Sequence, residues 1–330
     1  MNALFVGIGT TASCWYRCAL PARALGADWI GVSGDPTALT IRTGQCVRDI
    51  GGIDDLATYD VVVLQQPRGA AWLNAIAELR RRGTRVLCEV DEDLHGDEAL
   101  ELAMLTCDGL ICPTDHLAAR CESFSAETWV CANGIDLGRF ALSRTPHETV
   151  TIGWAGGTGY RAAMEPWLAE VADVLAARPA TCFMSVGGED FATTLAERFG
   201  QERCIGLPWG PIETYPAAMS SFDIALAPAS HEPGFRGKSD LRWLEASALG
   251  VPTVADPVLY PAIVHGVTGL HAATPAEARA AIMTLVDDEG LRERIGAAAR
   301  ADVRERRCIE AVAPQWARAL AGVHHAAAAA

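Results

Sequence analysis

Short apolar runs alternate along the chain with longer stretches in which apolar side chains return every three or four positions. The first pattern belongs to strands buried on both faces, the second to helices with one buried stripe. In the first half, strands are predicted at 4–7, 29–32, 61–65, 86–90 and 110–112, and helices at 15–25, 70–82, 97–106 and 116–123. In the second half, strands are predicted at 151–154, 182–186, 224–227 and 253–255, and helices at 161–177, 191–199, 238–249 and 276–286, with a final helix at 309–320. Regular alternation of this kind predicts parallel α/β sheets. A chain of 330 residues exceeds one ordinary core, so two doubly wound domains are expected. The polar stretch 141–148 (ALSRTPHE), interrupted by Pro146, marks the linker.

Chemistry is densest at 222–255, FDIALAPASHEPGFRGKSDLRWLEASALGVPTVA. A buried strand ends at Pro228. His231, Glu232, Arg236 and Lys238 then follow at its carboxyl end, where open α/β sheets bind ligands. Ser239 is expected to cap a helix with Asp240 in its first turn, Leu241, Leu244 and Ala248 along one stripe, and Gly250 and Pro252 as its stop. Within a helix, Lys238 and Glu245 would share nearly one face, roughly 10 Å apart along the axis. That spacing suits a phosphate and a sugar hydroxyl, and it equally suits a solvated pair flanking an amphipathic helix.

Three further loops sit at predicted strand ends. Gly7, Gly9 and Thr10 make a glycine turn into a helix whose free N–H groups suit an anion, or simply a tight strand-to-helix turn. Asp91, Glu92, Asp93 and His95 crowd carboxylates that must face hydroxyls, arginines or a cation. Helix capping is one reading of Asp93, and a place on the surface is one reading of His95. Gly156, Gly157 and Thr158 lead into a helix beginning near Arg161, whose planar fork suits phosphate oxygens.

A net charge of −14 argues against a broad basic nucleic-acid surface. The eleven cysteines show neither CxxC nor paired Cys/His spacing, and read as small buried hydrophobes in a reducing compartment. The start, MNALFVGIG, lacks a basic leader, and no window approaches the roughly 20 apolar residues of a membrane span. A cytoplasmic location is expected.

Several segments together resemble family 4 (group 1) glycosyltransferases. They are the Asp-initiated strand 223–228 ending in Ala-Pro, 238–245 (KSDLRWLE), 248–255 (ALGVPTVA), 265–270 (HGVTGL), 152–161 (IGWAGGTGYR) and 133–140 (NGIDLGRF). The resemblance implies the GT-B fold, two Rossmann-like doubly wound domains facing a cleft. Residues 1–142 would form the acceptor-side domain, with 308–330 returning to it, and 143–307 the nucleotide-sugar domain.

By that resemblance, Lys238 and Arg161 clamp the donor diphosphate and Glu245 contacts the ribose. Gly9, Thr10, Gly156, Gly157, Thr158 and Ser239 line the donor, while Asp91 and His95 face the acceptor and the donor sugar. Tyr16 and Arg17 are similar to a Tyr-Arg pair of some relatives, which makes Arg17 a further candidate beside a salt-bridged alternative. Two departures stand out. The Arg…Lys-Gly arrangement after the strand at 151–154 is absent, and the first Glu of the Glu-x7-Glu signature is Gly237 here. Glu232 or His231 would substitute, or that sugar contact is lost.

The implied activity is transfer of a hexosyl or pentosyl group from a nucleoside-diphosphate sugar, with retention, without metal and without a cofactor. The implied acceptors range over a metabolite, a lipid-linked sugar, a protein or a modified DNA base. Competing classes are a nucleotide-sugar epimerase or phosphorylase of the same fold and a non-catalytic sugar-nucleotide-binding protein.

Overall fold

The computed structural model describes residues 1–9, 11–32, 52–93, 96–125, 127–142, 148–157, 160–230 and 232–322. They divide into two compact units. Unit 1 holds 1–134, 233–239 and the chain from 309 onward, and unit 2 holds 135–232 and 240–308.

Unit 1 is built on β1 (Ala3–Ile8), β2 (Asp28–Val32), β3 (Val61–Gln65), β4 (Arg85–Glu89), β5 (Gly109–Cys112) and β6 (Thr128–Val130). All are parallel, in the order β2-β1-β3-β4-β5-β6. Alternate side chains of each strand serve opposite layers. Leu4, Val6, Val62 and Leu64 pack with Ile76, Leu79 and Leu100 on one face. Phe5, Val61 and Val63 pack with Cys14, Cys18, Trp316 and Leu320 on the other. The helix Ile309–Ala321 therefore completes the second layer of a sheet whose strands lie far earlier in the sequence.

Unit 2 is built on β7 (Val150–Ala155), β8 (Thr181–Val186), β9 (Cys204–Leu207), β10 (Ile224–Ala227), β11 (Thr253–Ala255) and β12 (Leu270–His271). These too are parallel, in the order β12-β11-β10-β7-β8-β9. Ile152, Phe183, Ile224 and Val254 anchor its core against Trp167, Val171 and Leu285. Strand order reverses between β1 and β3 in unit 1 and between β7 and β10 in unit 2. Open α/β sheets leave a ligand crevice at such reversals, outside the carboxyl ends of the strands.

The helix predicted at 238–249 needs correction. It runs Leu241–Ala248 with Asp240 at its N-cap, and no side chain caps it. Two contacts explain the shift. The Asp240 carboxylate is held bidentately by Arg307 at 2.7 and 2.8 Å. The Ser239 hydroxyl accepts a hydrogen bond from the Asn133 amide at 2.7 Å. Ser239 is therefore not the cap, and Lys238 lies outside the helix, so the shared helical face expected for Lys238 and Glu245 does not exist. The pattern also gives no sign of β6, β9, β12 or the helices Ile53–Leu56, Tyr215–Met219 and Glu289–Arg306. Among the described residues, no helix is long and apolar enough to cross a membrane.

Candidate active site

In unit 1, the carboxyl ends of β1, β3 and β4 carry a connected polar network. Arg17 sits in a π-helical turn, Trp15–Ala19, and is 1% exposed. Its Nε donates to Glu89 at 2.6 Å, and its Nη1 donates to the Cys131 carbonyl at 2.7 Å and the Asn133 side chain at 3.0 Å. The Trp316 ring lies 4.6 Å from the guanidinium carbon. Burial pushes the Glu89 carboxyl up to about 8, against the opposing pull of Arg17.

Gln65 reads out a proton order. Its Oε1 accepts from the Ile8 amide at 2.9 Å, so its Nε2 donates to Ser13 Oγ at 2.7 Å. Ser13 must then donate onward to Asp91. Gln66, a non-glycine residue at φ 42°, donates to the other Asp91 oxygen. Two fixed donors thus hold the Asp91 side chain in one orientation. Asp93 faces elsewhere, with Arg120 Nε at 2.6 Å. The two carboxylates of the Asp-x-Asp spacing therefore have different partners. Among the described residues, no group of three His, Cys, Asp or Glu is arranged to hold a metal ion.

Lys238 also belongs to unit 1. Its Nζ is 3.0 Å from Glu92 and 5.7 Å from the Phe235 ring centre. Gly237 before it lies flat against Asp93, where a Cβ would come within 2.7 Å of the Asp93 backbone nitrogen. Glycine at 237 is thus a packing requirement, which accounts for the departure from the Glu-x7-Glu signature.

In unit 2, Gly156 and Gly157 follow β7, and the Gly156 amide donates to the Val186 carbonyl at 3.0 Å. Arg161 opens the helix Arg161–Ala177 and is half exposed. It pairs with Glu165 at 2.7 Å and with Asp190, and lies over the Phe191 ring. Glu245 is only 4% exposed and accepts a hydrogen bond from the Tyr215 hydroxyl at 3.2 Å. Burial, then the neighbouring Glu245, pushes the Tyr215 phenol well above its ordinary value, so it remains a neutral donor. The Tyr215 ring stands 5.3 Å from that of Trp209, which is half exposed beyond the end of β9.

The residues 149–288 match the family profile described as glycosyl transferases, group 1. Over this segment the chain is similar to group 1 glycosyltransferases. No curated protein sequence matches the chain. Among solved structures, Anabaena HepE in complex with UDP and glucose is similar at 16% identity and a TM-score of 0.72, covering 98% of this chain and 100% of that one. Sucrose-phosphate synthase from Thermosynechococcus elongatus is similar at 14% identity and a TM-score of 0.70, covering 96% and 98%. A glycosyltransferase from Rickettsia africae follows at 13% identity and 0.69, covering 96% and 97%. At such identities the likeness shows the GT-B fold alone.

Within the matched segment, Gly156 and Gly157 follow the carboxyl end of β7, and Glu245 is a buried residue of the helix Leu241–Ala248. Gly9 follows β1 in unit 1 at φ 63°, and Ser239 is engaged by Asn133. Thr10, His95, Thr158 and His231 lie outside the described residues. Sequence reasoning passes over Tyr215 and Trp209. Neither belongs to a quoted motif, and the only signal is two aromatic residues in the polar segment that follows the unrecognised strand β9.

Proposed function

We propose that the protein transfers a sugar from a nucleoside-diphosphate sugar, with UDP-sugar as the first donor to test, to a hydroxyl-bearing acceptor. The observation that carries this reading is the buried Glu245–Tyr215 pair inside the matched segment. A carboxylate whose position is fixed by a neutral phenol suits a ribose diol, because both diol protons need acceptors. Trp209 offers a half-exposed aromatic face one ring away, suited to stacking a nucleobase. UDP in complex with the structurally similar HepE supports the choice of probe.

From unit 1 we assign Asp91 to the acceptor hydroxyl and Lys238 to the charge that develops on the departing diphosphate. Arg161 is the second cation implied by the resemblance. Charge neutralisation by side chains leaves no step that requires a metal, and attack on the face from which the diphosphate departs gives retention. In that arrangement the leaving phosphate takes the acceptor proton.

The test is incubation with radiolabelled UDP-sugars in the presence of chelator, with and without lipid, sugar and protein acceptors, and with product anomers assigned by NMR. Transfer with retention in chelator is expected. Epimerised sugar without acceptor, binding without turnover, or activity that returns only with manganese or magnesium would each overturn its part of the reading.

Glu245→Gln is expected to weaken UDP by about 1.5–3 kcal/mol, the worth of a hydrogen bond to a charged group. It should weaken the 2′,3′-dideoxy analogue far less. Calorimetry on both proteins decides: equal affinity of wild type and variant for UDP would remove Glu245 from the site.

A further inference from the structure

Arg242 occupies the first turn of the helix Leu241–Ala248 in unit 2, and its surroundings are unusual for a cation in a strongly acidic chain. Its Nη1 and Nη2 are buried and make no hydrogen bond among the described residues. The contacts it does make are with rings and backbone. The guanidinium carbon is 3.4 Å from the Tyr160 ring centre and 5.5 Å from that of Trp154. A Cβ on Gly156 would lie 2.5 Å from Nη2, so only glycine lets the guanidinium rest against the chain where β7 ends.

A ring face offsets part of a cation's charge without using its in-plane N–H groups. Those donors remain unspent in a buried place, which costs free energy unless a ligand accepts them. Nearby Arg161 differs, since its guanidinium is exposed and already engaged by Glu165 and Asp190.

We infer that Arg242 is a phosphate-binding guanidinium of the donor site, held ready under Tyr160. The inference rests on the donor reading above and deepens it. Arg242 and Glu245 are three residues apart, so they share a helical face about one turn apart. Arg242 is the nearer to the helix N-terminus, where the helix dipole favours an anion. A ribose on Glu245 thus places its 5′-phosphate toward Arg242. The planar fork donates to two phosphate oxygens at once, which a lysine at this position would not reproduce. Because both nitrogens are covered, binding requires the Tyr160 ring to shift.

The experiment uses the full chain as wild type, Arg242→Met and, as a control, Arg178→Met. Arg178 is an exposed arginine paired with Asp287 on the surface of unit 2. Inorganic pyrophosphate is the probe, because it carries no nucleobase or sugar, and its affinity is measured by calorimetry alongside the unliganded Tm. Wild type and Arg178→Met should bind pyrophosphate alike. Arg242→Met should bind at least about tenfold more weakly, the loss of charge-assisted hydrogen bonds, while its unliganded Tm equals or exceeds that of wild type because a buried, unspent cation has been removed.

If Arg242→Met does not fold, Arg242→Gln carries the same measurement. Affinity of the Arg242 variant within about twofold of wild type overturns the inference and leaves the donor reading standing, and a lowered Tm with that affinity marks a packing residue. Failure of wild type itself to bind either pyrophosphate or UDP overturns the donor reading as well.

Discussion

Sugar transfer by Lys238→Ala is expected to fall by about two to three orders of magnitude, the usual cost of removing a preorganised charge donor. The fold should survive. Lys238 is 15% exposed and its Glu92 partner 47%, so their ion pair is a partly solvated one worth no more than about 1 kcal/mol. The neighbouring residues hold their places without it: Gly237 packs on Asp93 and Ser239 is bonded by Asn133. Glu92→Gln breaks the same ion pair and serves as the control, with turnover expected within about threefold of wild type. Initial rates at saturating donor check both variants. Near-wild-type turnover of Lys238→Ala would remove this lysine from the chemistry.

The largest loss of stability is expected from Arg17→Met, about 3–5 kcal/mol at pH 8, because it leaves Glu89 buried without its cation. Cys131 and Asn133 lose a donor as well. The pH dependence distinguishes this from simple misfit. Glu89 is raised to about 8 from an ordinary 4.5, so the native chain keeps a proton that the unfolded chain has released. Stability contributed this way is full below about 4.5 and is lost as pH rises toward 8. Arg17 lowers the Glu89 value, so its removal raises that value further and extends the decline. The gap between wild type and variant should therefore be smaller at pH 5 than at pH 8 in urea midpoints. Equal gaps at both would show that packing against Trp316, not charge, is what Arg17 supplies.

Most of the central strands are legible in the sequence because a parallel strand covered on both faces is filled mainly by apolar residues. Val61–Gln65 and Ile224–Ala227 are buried throughout and stand out as apolar runs. The strands without a signal are short or sit at a sheet edge. Leu270–His271 has two residues, and Cys204–Leu207 is largely unburied. The helix Glu289–Arg306 buries only Ile295, Gly296, Ala299 and Val303, too narrow a stripe to show through its charges.

At the candidate site, motifs carry residue types, as at Glu245. They do not carry geometry. The register of a helix start depends on what its capping candidates bond to, and Ser239 and Asp240 are claimed by Asn133 and Arg307, both distant in sequence. Arg242 reads in the motif as one more basic residue on a helix, and only its burial among Tyr160, Trp154 and Gly156 distinguishes it.

Closure of unit 1 by the helix Ile309–Ala321 has a consequence during biosynthesis. When residue 134 leaves the ribosome, the layer formed by Phe5, Val61, Val63 and Leu87 still lacks Trp316, Ala319 and Leu320. At about 5–20 residues per second, roughly ten seconds or more of further synthesis pass before those side chains arrive. All of unit 2 is made in that interval and is free to fold first. The nascent unit 1 meanwhile has Cys14, Cys18 and Ala22 of the earlier helices over that layer, while the part that Trp316 and Leu320 later cover stays open to water, a natural target for a ribosome-associated chaperone.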